Sequence, residues 1–346
     1  MHRIGRALLI AFTYIGTIVG AGFATGQEIL QFFTLYGSQA TFTILLASAL
    51  FIWLGTKTML IAREIGAVSY EDMNIHLFGT AAGRMVSAAM LILLVAVSSV
   101  MMAGAGALFR EHLGLPFESG LLVTAVLAFA VIAAGMKGIK AVNSLVVPVM
   151  LLFVAVVFVF TLHLPTSGQF LLAPGDAPAW RVWLSPLTYA AFNLVLAQAV
   201  LVPLGASAPD AATIKLGGLI GGACIAFMLL AGHIALSAQM PGIAQFDIPM
   251  GRIVSGLGLR VQALFLLAVY AEIFTTLIAD VYGVTLQLRQ RTGWKETVIA
   301  PVILLICSAV GQFGFKTLLS ALYPLLGMIS LIWLAKIAAK RRLPSG

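Results

Sequence analysis

The sequence predicts an all-α polytopic membrane protein: about ten transmembrane helices in a five-plus-five inverted repeat, with the first helix discontinuous. Three observations predict it. The 346 residues are 61% hydrophobic and only 9% charged, where a soluble domain carries about a quarter charged residues. Apolar stretches near the length of about 20 residues that crosses a bilayer recur along the chain. The first of them contains TIVGAGFATGQEI, Thr17 to Ile29, a run unsuited to an uninterrupted helix in lipid. Period-two alternation with regular turns is absent, so the spans read as helices and not as barrel strands.

The first stretch covers 5–36. Its basic start and apolar middle have the shape of a secretory signal, but the apolar pattern runs on through ILQFFTLYG, and an uncleaved first helix fits better. Four more stretches follow at 39–62, 84–108, 119–135 and 141–163. A Pro- and Gly-containing connection occupies 164–182. The second set lies at 183–204, 213–237, 258–286, 297–314 and 317–338, ahead of a basic tail, 339–346. The longest connections besides 164–182 are 66–83 and 238–256. Dividing the chain at 164–182 gives two halves, 1–163 and 183–338, each with five spans. An odd number per half turns the second half over relative to the first, which is the inverted-repeat signature.

Charge supports that count. With the N-terminus inside, fifteen of the twenty Lys and Arg residues fall on the inner face. Arg110, Arg181, Arg252, Arg260 and Lys316 fall outside. This is a strong positive-inside bias and places both termini in the cytoplasm. The net charge of +8 is then explained by inner loops and calls for no nucleic acid. The two cysteines, Cys224 and Cys307, lie in apolar runs and read as buried, reduced thiols.

Gly20, Gly22 and Gly26 allow the first helix to unwind. Unwinding frees carbonyls that can bind a cation and amides that can meet an anionic group, provided they line a cavity. Close helix packing through small residues would also explain the glycines. It would not explain Thr25, Gln27, Glu28 and Gln31 on the next turns. In the eighth span, AEIFTTLIADVYG sets Glu272, Thr275, Thr276, Asp280 and Gly283 on one helical face. Oxygens on one face suit sodium or a proton. Glu272 reads as functional there, and Asp280 as an interfacial residue. The sixth span carries Tyr189, Asn193 and Gln198, which form either a polar cavity face or interhelical hydrogen bonds. Ser98, Ser99 and His233 are weaker signals, with His233 read as a packing residue. No enzyme motif is present in the sequence.

Three segments resemble the LeuT-fold transporters, the amino acid–polyamine–organocation superfamily in the broad sense: GTIVGAG (Gly16 to Gly22), KGIKAVNSLVVP (Lys137 to Pro148) and Thr275–Thr276. More closely, GAGFATGQEI resembles the YkvI-type bacterial membrane proteins. The resemblance implies a cation, possible Na+, held by the carbonyls of Gly16, Val19 and Glu272 and the hydroxyls of Thr275 and Thr276. It implies a small-molecule solute beside Thr17, Gly20, Ala21, Gly22, Phe23 and Thr25, facing the sixth span. Gln27, Glu28, Tyr189 and Asn193 complete the polar surroundings. Spans one, two, six and seven would rock against the rest, in the inner membrane of a bacterium. Two features depart from the family pattern: the sixth span has no glycine at its middle, and Glu28 and Glu272 are acids where many members are neutral. A proton therefore competes with sodium as the coupling ion, and the solute is expected to be zwitterionic or an amine. An ion channel, and a sensor or partner subunit without flux, are the competing readings. The oligomeric state is left open.

Overall fold

The computed structural model describes residues 3–163, 171, 175, 177–246, 249–312 and 330–340. Every regular element among them is a helix. The first span comes in three pieces, α1 (Arg3–Ile18), α2 (Ala21–Ala24) and α3 (Gln27–Phe32). Span two is α4 (Ala40–Ile65). A short α5 (Tyr70–Phe78) precedes span three, α6 (Thr80–His112). Spans four and five are α7 (Phe117–Ala133) and α8 (Gly135–Leu162). The second half contains α9 (Ala179–Ala206), α10 (Ala211–Ser237), the short α11 (Pro249–Ser255), α12 (Leu259–Thr292) and α13 (Glu296–Gly311). The described part of the tenth span is α14 (Ser330–Ala339). Most of the 164–182 connection, the start of the tenth span and most of the basic tail lie outside the described residues.

Six helices, α4, α6, α8, α9, α10 and α12, are each long and apolar enough to cross a membrane. Three shorter apolar helices and the divided first span complete the expected ten. The packing repeats under a shift of five spans. Span one packs on seven and six on two; three packs on four and eight on nine; three packs on nine and eight on four. The pairs two–seven, three–eight and four–nine map onto themselves. Two groups result: spans one, two, six and seven, and spans three, four, eight and nine, with span five touching both.

Span seven fits tightly because LGGLIGGAC gives it two glycine faces. Gly217 and Gly221 receive Ile10 and Tyr14 of α1, while Gly218 and Gly222 receive Thr56 and Ile52 of α4. A Cβ at Gly222 would lie 2.4 Å from Ile52 Cγ1. Small residues at this spacing let helix backbones approach closely, where dispersion replaces the missing hydrophobic drive. The Tyr14 hydroxyl donates to the Phe51 carbonyl at 2.7 Å, in a widened turn of α4 (Phe51–Gly55). Gly55 makes the room, since a Cβ there would lie 2.0 Å from that hydroxyl oxygen.

At the end of the bundle that carries Arg3 and Lys340, polar contacts tie distant segments together. Ser69 and Asp72 form a capping box on α5. Arg291 of α12 grips Glu71 through Nε at 2.7 Å and Nη2 at 3.0 Å. Gln287 bonds Tyr70, and Trp333 donates to Asn74 at 3.1 Å. Asp210 caps α10, accepting from the Thr213 N–H at 2.8 Å, and pairs with Arg3 at 3.2 Å.

Candidate functional site

Helix α1 stops at Ile18, and Val19 and Gly20 leave helical geometry. The Phe23 N–H, which would bond the Val19 carbonyl in a continuous helix, donates to Gly20 at 2.9 Å instead. The Val19 carbonyl so loses its i+4 donor. After the single turn of α2, the chain turns at Gly26, whose φ of 81° lies in the left-handed region that favours glycine.

The predicted face of the eighth span meets this break. A Cβ built on Gly20 would lie 3.3 Å from Thr276 Oγ1, a buried hydroxyl with no hydrogen-bond partner. The Thr275 hydroxyl donates to the Glu272 carbonyl at 3.2 Å. Glu272 is 2% exposed; its carboxylate lies beside the Ala24 N–H, which bonds the Gly20 carbonyl at 3.1 Å, and its Oε2 has no partner. Glu272 also lines a cavity of about 20 Å³ with Phe23, Ala24, Ile29, Phe153 and Met228, room for about one water.

Glu28 approaches the same turn from the other side. Its carboxylate folds back over Gly22, where a Cβ would fall 2.2 Å from Oε1. The Tyr189 hydroxyl hydrogen-bonds it, and Oε2 has no partner. The Tyr189 ring is fixed among Phe32, Phe33 and Phe51, with centroids 5.2, 5.0 and 5.9 Å away. Glu28 is near enough to Glu272 for the two charges to interact. Two carboxylates therefore bracket residues 22–24.

The remaining candidates divide. Gln27 lies beside Glu28 with a buried, unpartnered Oε1. Thr17 donates to Thr13 O at 2.6 Å, Thr25 to Gly22 O at 3.1 Å, and the Asn193 amide to Tyr189 O at 3.0 Å. These three bond their own segments, so a ligand must compete with the backbone for them. Ala21 opens α2. On the far side, the Met250 N–H of α11 donates to Thr25 O at 3.0 Å and covers the Gly26 turn.

Sequence reasoning missed Asn143 of span five. A Cβ at Gly16 would lie 1.7 Å from its Oδ1, which has no donor, while its amide bonds Ile139 O at 3.0 Å. It is an unassigned polar group in the KGIKAVNSLVVP segment. Asp280 is 3% exposed and buried in the bundle. The sixth span is continuous from Ala179 to Ala206, with Pro186 and Pro203 inside it, so no second discontinuity mirrors the first. Cys224 is half-buried, and Cys307 is buried as expected. His233 is buried, its Nδ1 bonded to Thr34 at 3.1 Å and Ser237 at 3.3 Å, and its Nε2 has no partner.

No family model matches the chain. Its sequence is 39% identical to the membrane protein YkvI of Bacillus subtilis over 344 residues, 97% of this chain and 96% of YkvI. The chain belongs to the YkvI family. YyaD of the same organism is 25% identical over 324 residues, covering 92% of this chain and 91% of YyaD. Among solved structures, MhsT in complex with L-phenylalanine superposes on this YkvI-family chain with a TM-score of 0.74 at 16% identity, over 96% of this chain and 88% of MhsT. A substrate-bound, Na+-coupled sialic acid symporter gives 0.71 at 11% identity, over 96% and 79%. A manganese transporter of Eremococcus coleocola gives 0.57 at 14%, over 96% and 76%. At these identities the likeness is one of fold: the YkvI-family chain has the LeuT fold.

Proposed function

We propose that this YkvI-family protein is a cation-coupled secondary transporter of a small polar solute, working by alternating access in a bacterial inner membrane with both termini cytoplasmic. The observation that carries the reading is the meeting of the broken first span with Thr276 and Glu272. A carbonyl without its helical donor, a free buried hydroxyl and a buried carboxylate converge there, a costly arrangement in lipid unless a ligand uses it. The cation, sodium or a proton, would lie among Gly16, Val19, Glu272, Thr275 and Thr276. The solute would lie at Gly20 to Phe23, between Glu28 and the Tyr189–Asn193 face, with Thr17, Thr25 and Gln27 around it. Its acidic surroundings favour a zwitterion or amine. The superposition on a sodium-coupled symporter supports this direction. The two packed groups of spans supply the parts that would rock, and residues 1–163 and 183–338 the two repeats.

Radioactive sodium binding to the purified chain tests the cation site. Saturable binding resistant to excess potassium and weakened in Thr276→Val supports sodium at this site. Proton uptake on raising the solute concentration, without sodium binding, supports proton coupling. Proteoliposomes under sodium and pH gradients, given labelled amino acids and amines, then test flux. Ligand binding with no flux in either gradient would replace transport by a sensing role.

A further inference from the structure

Asp280 stands apart from the site above. It lies one turn beyond Thr276 on α12, about 12 Å along the helix from Glu272 at 1.5 Å per residue. It is almost wholly buried, and its Oδ2 has no hydrogen-bond partner among the described residues. Helix α12 packs on α6, α8, α9 and α13, and Gly283, three residues on, meets Ala199 of α9. From α6 come Ser98 and Ser99, both fully buried. Ser99 donates to Val95 O at 2.8 Å, whereas Ser98 Oγ has no partner. From α13 comes Cys307, whose thiol donates to Val95 O at 3.6 Å and lies near both serines. Cys307 and Tyr70 of α5 are close enough to sense the Asp280 charge.

No ion pair among the described residues includes Asp280. The charged residues of the surrounding helices stand at helix ends: Arg84, Arg110, Glu111 and His112 on α6, Glu118 on α7, Lys137 and Lys140 on α8, Arg181 on α9 and Glu296 on α13. A carboxylate shut away from water without a cation is prohibitively costly; it must bind one or take up a proton. We propose that Asp280, with the free Ser98 hydroxyl across the Cys307 thiol, forms a second site that binds one small monovalent cation, a proton or a sodium ion. The site lies on spans three, eight and nine, within one of the two packed groups. Its three helices are unbroken, so side chains supply its ligands where freed backbone supplies those of the first site.

The inference does not depend on transport, and its test separates the two sites. The melting temperature of the purified full chain is measured in the Glu272→Gln background, from acid to alkaline pH, in sodium and in potassium. A dependence on pH above about 5 or on sodium persists there, and Asp280→Asn in the same background reduces it, while the acid dependence set by Asp210 remains. A response to pH alone identifies the proton, and a sodium-specific response at alkaline pH identifies sodium. No such dependence in Glu272→Gln, or one unchanged by Asp280→Asn, overturns the proposal. Should Asp280→Asn fail to fold, Ser98→Ala takes its place. A shift in the midpoint of the pH or sodium response of at least severalfold is then expected, and an unmoved midpoint overturns the proposal.

Discussion

Thr276→Val separates a binding residue from a packing residue by the sign of its effects. The substitution keeps the β-branched shape and deletes one oxygen. In the structure that oxygen is buried with no hydrogen-bond partner. Leaving a buried hydroxyl unsatisfied costs about 1–3 kcal/mol, so its removal should leave the ligand-free protein as stable as before or stabilise it by about 1 kcal/mol. Cation binding should suffer in the opposite direction. At a sodium concentration 100-fold above Kd, binding stabilises the folded chain by about 2.7 kcal/mol. A variant with a 100-fold weaker site would retain about 0.4 kcal/mol of that. Melting of the purified protein in potassium and in sodium reads both quantities: the potassium value holds or rises, and the sodium increment nearly vanishes. A fall in both media would mean that Thr276 serves only packing. An unchanged sodium increment would remove it from the cation site.

Gly205→Ala should destabilise more than Gly16→Ala. Its Cβ would lie 2.3 Å from the Met59 carbonyl oxygen and 2.6 Å from Met59 Cα, a backbone that cannot turn aside. The Gly16 methyl meets the rotatable end of Asn143, so overpacking of about 1–3 kcal/mol is expected at Gly205, and Asn143→Ala should rescue Gly16→Ala alone; thermal melts of the three variants decide. Arg291→Ala should cost more than Glu71→Gln, because it strands a carboxylate that is 6% exposed, whereas Arg291 is 36% exposed and can turn to water. About 1–2 kcal/mol is expected for Arg291→Ala, below the value for a fully buried pair, and equal losses in a denaturation series would contradict this. Bonds from the Thr213 N–H and hydroxyl, followed by Arg3, hold the Asp210 carboxyl down to about 2. A depressed carboxyl contributes stability above its unfolded value of about 3.9 and loses it as pH falls toward its folded value. Asp210→Asn should lack this dependence between about pH 4 and 2, and parallel acid titrations of the melting temperature test it.

The sequence makes the architecture legible because lipid imposes a simple rule: each crossing needs its own apolar length, and inner loops collect the basic residues. The break was equally visible, since closely spaced glycines followed by Gln27 and Glu28 conflict with a spanning helix. The burial of Asp280 was not legible, because its span was expected to end near residue 286. Helix α12 continues to Thr292, so the aspartate lies more than three turns from its end. Asn143 was missed because its meaning arises only where span five touches Gly16, across most of the first half of the chain. The two faces of GGLIGG in span seven were hidden for the same reason: spacing announces close packing, but the partners belong to the tertiary fold.

The unbroken sixth span gives this protein an asymmetry that its repeat does not require. Spans one and six are equivalent under the packing symmetry, yet glycines open only the first, and α9 runs on through Asn193 and Gln198. A second break would have offered backbone dipoles from the opposite side. In their place the sixth span presents Tyr189, whose ring is locked by three phenylalanines and whose hydroxyl bonds Glu28. Backbone groups can meet charges of either sign, carbonyls a cation and amides an anion. A carboxylate oriented by a phenol attracts positive charge alone. The solute site inferred here should therefore discriminate for a cationic group more sharply than a site built from two broken helices.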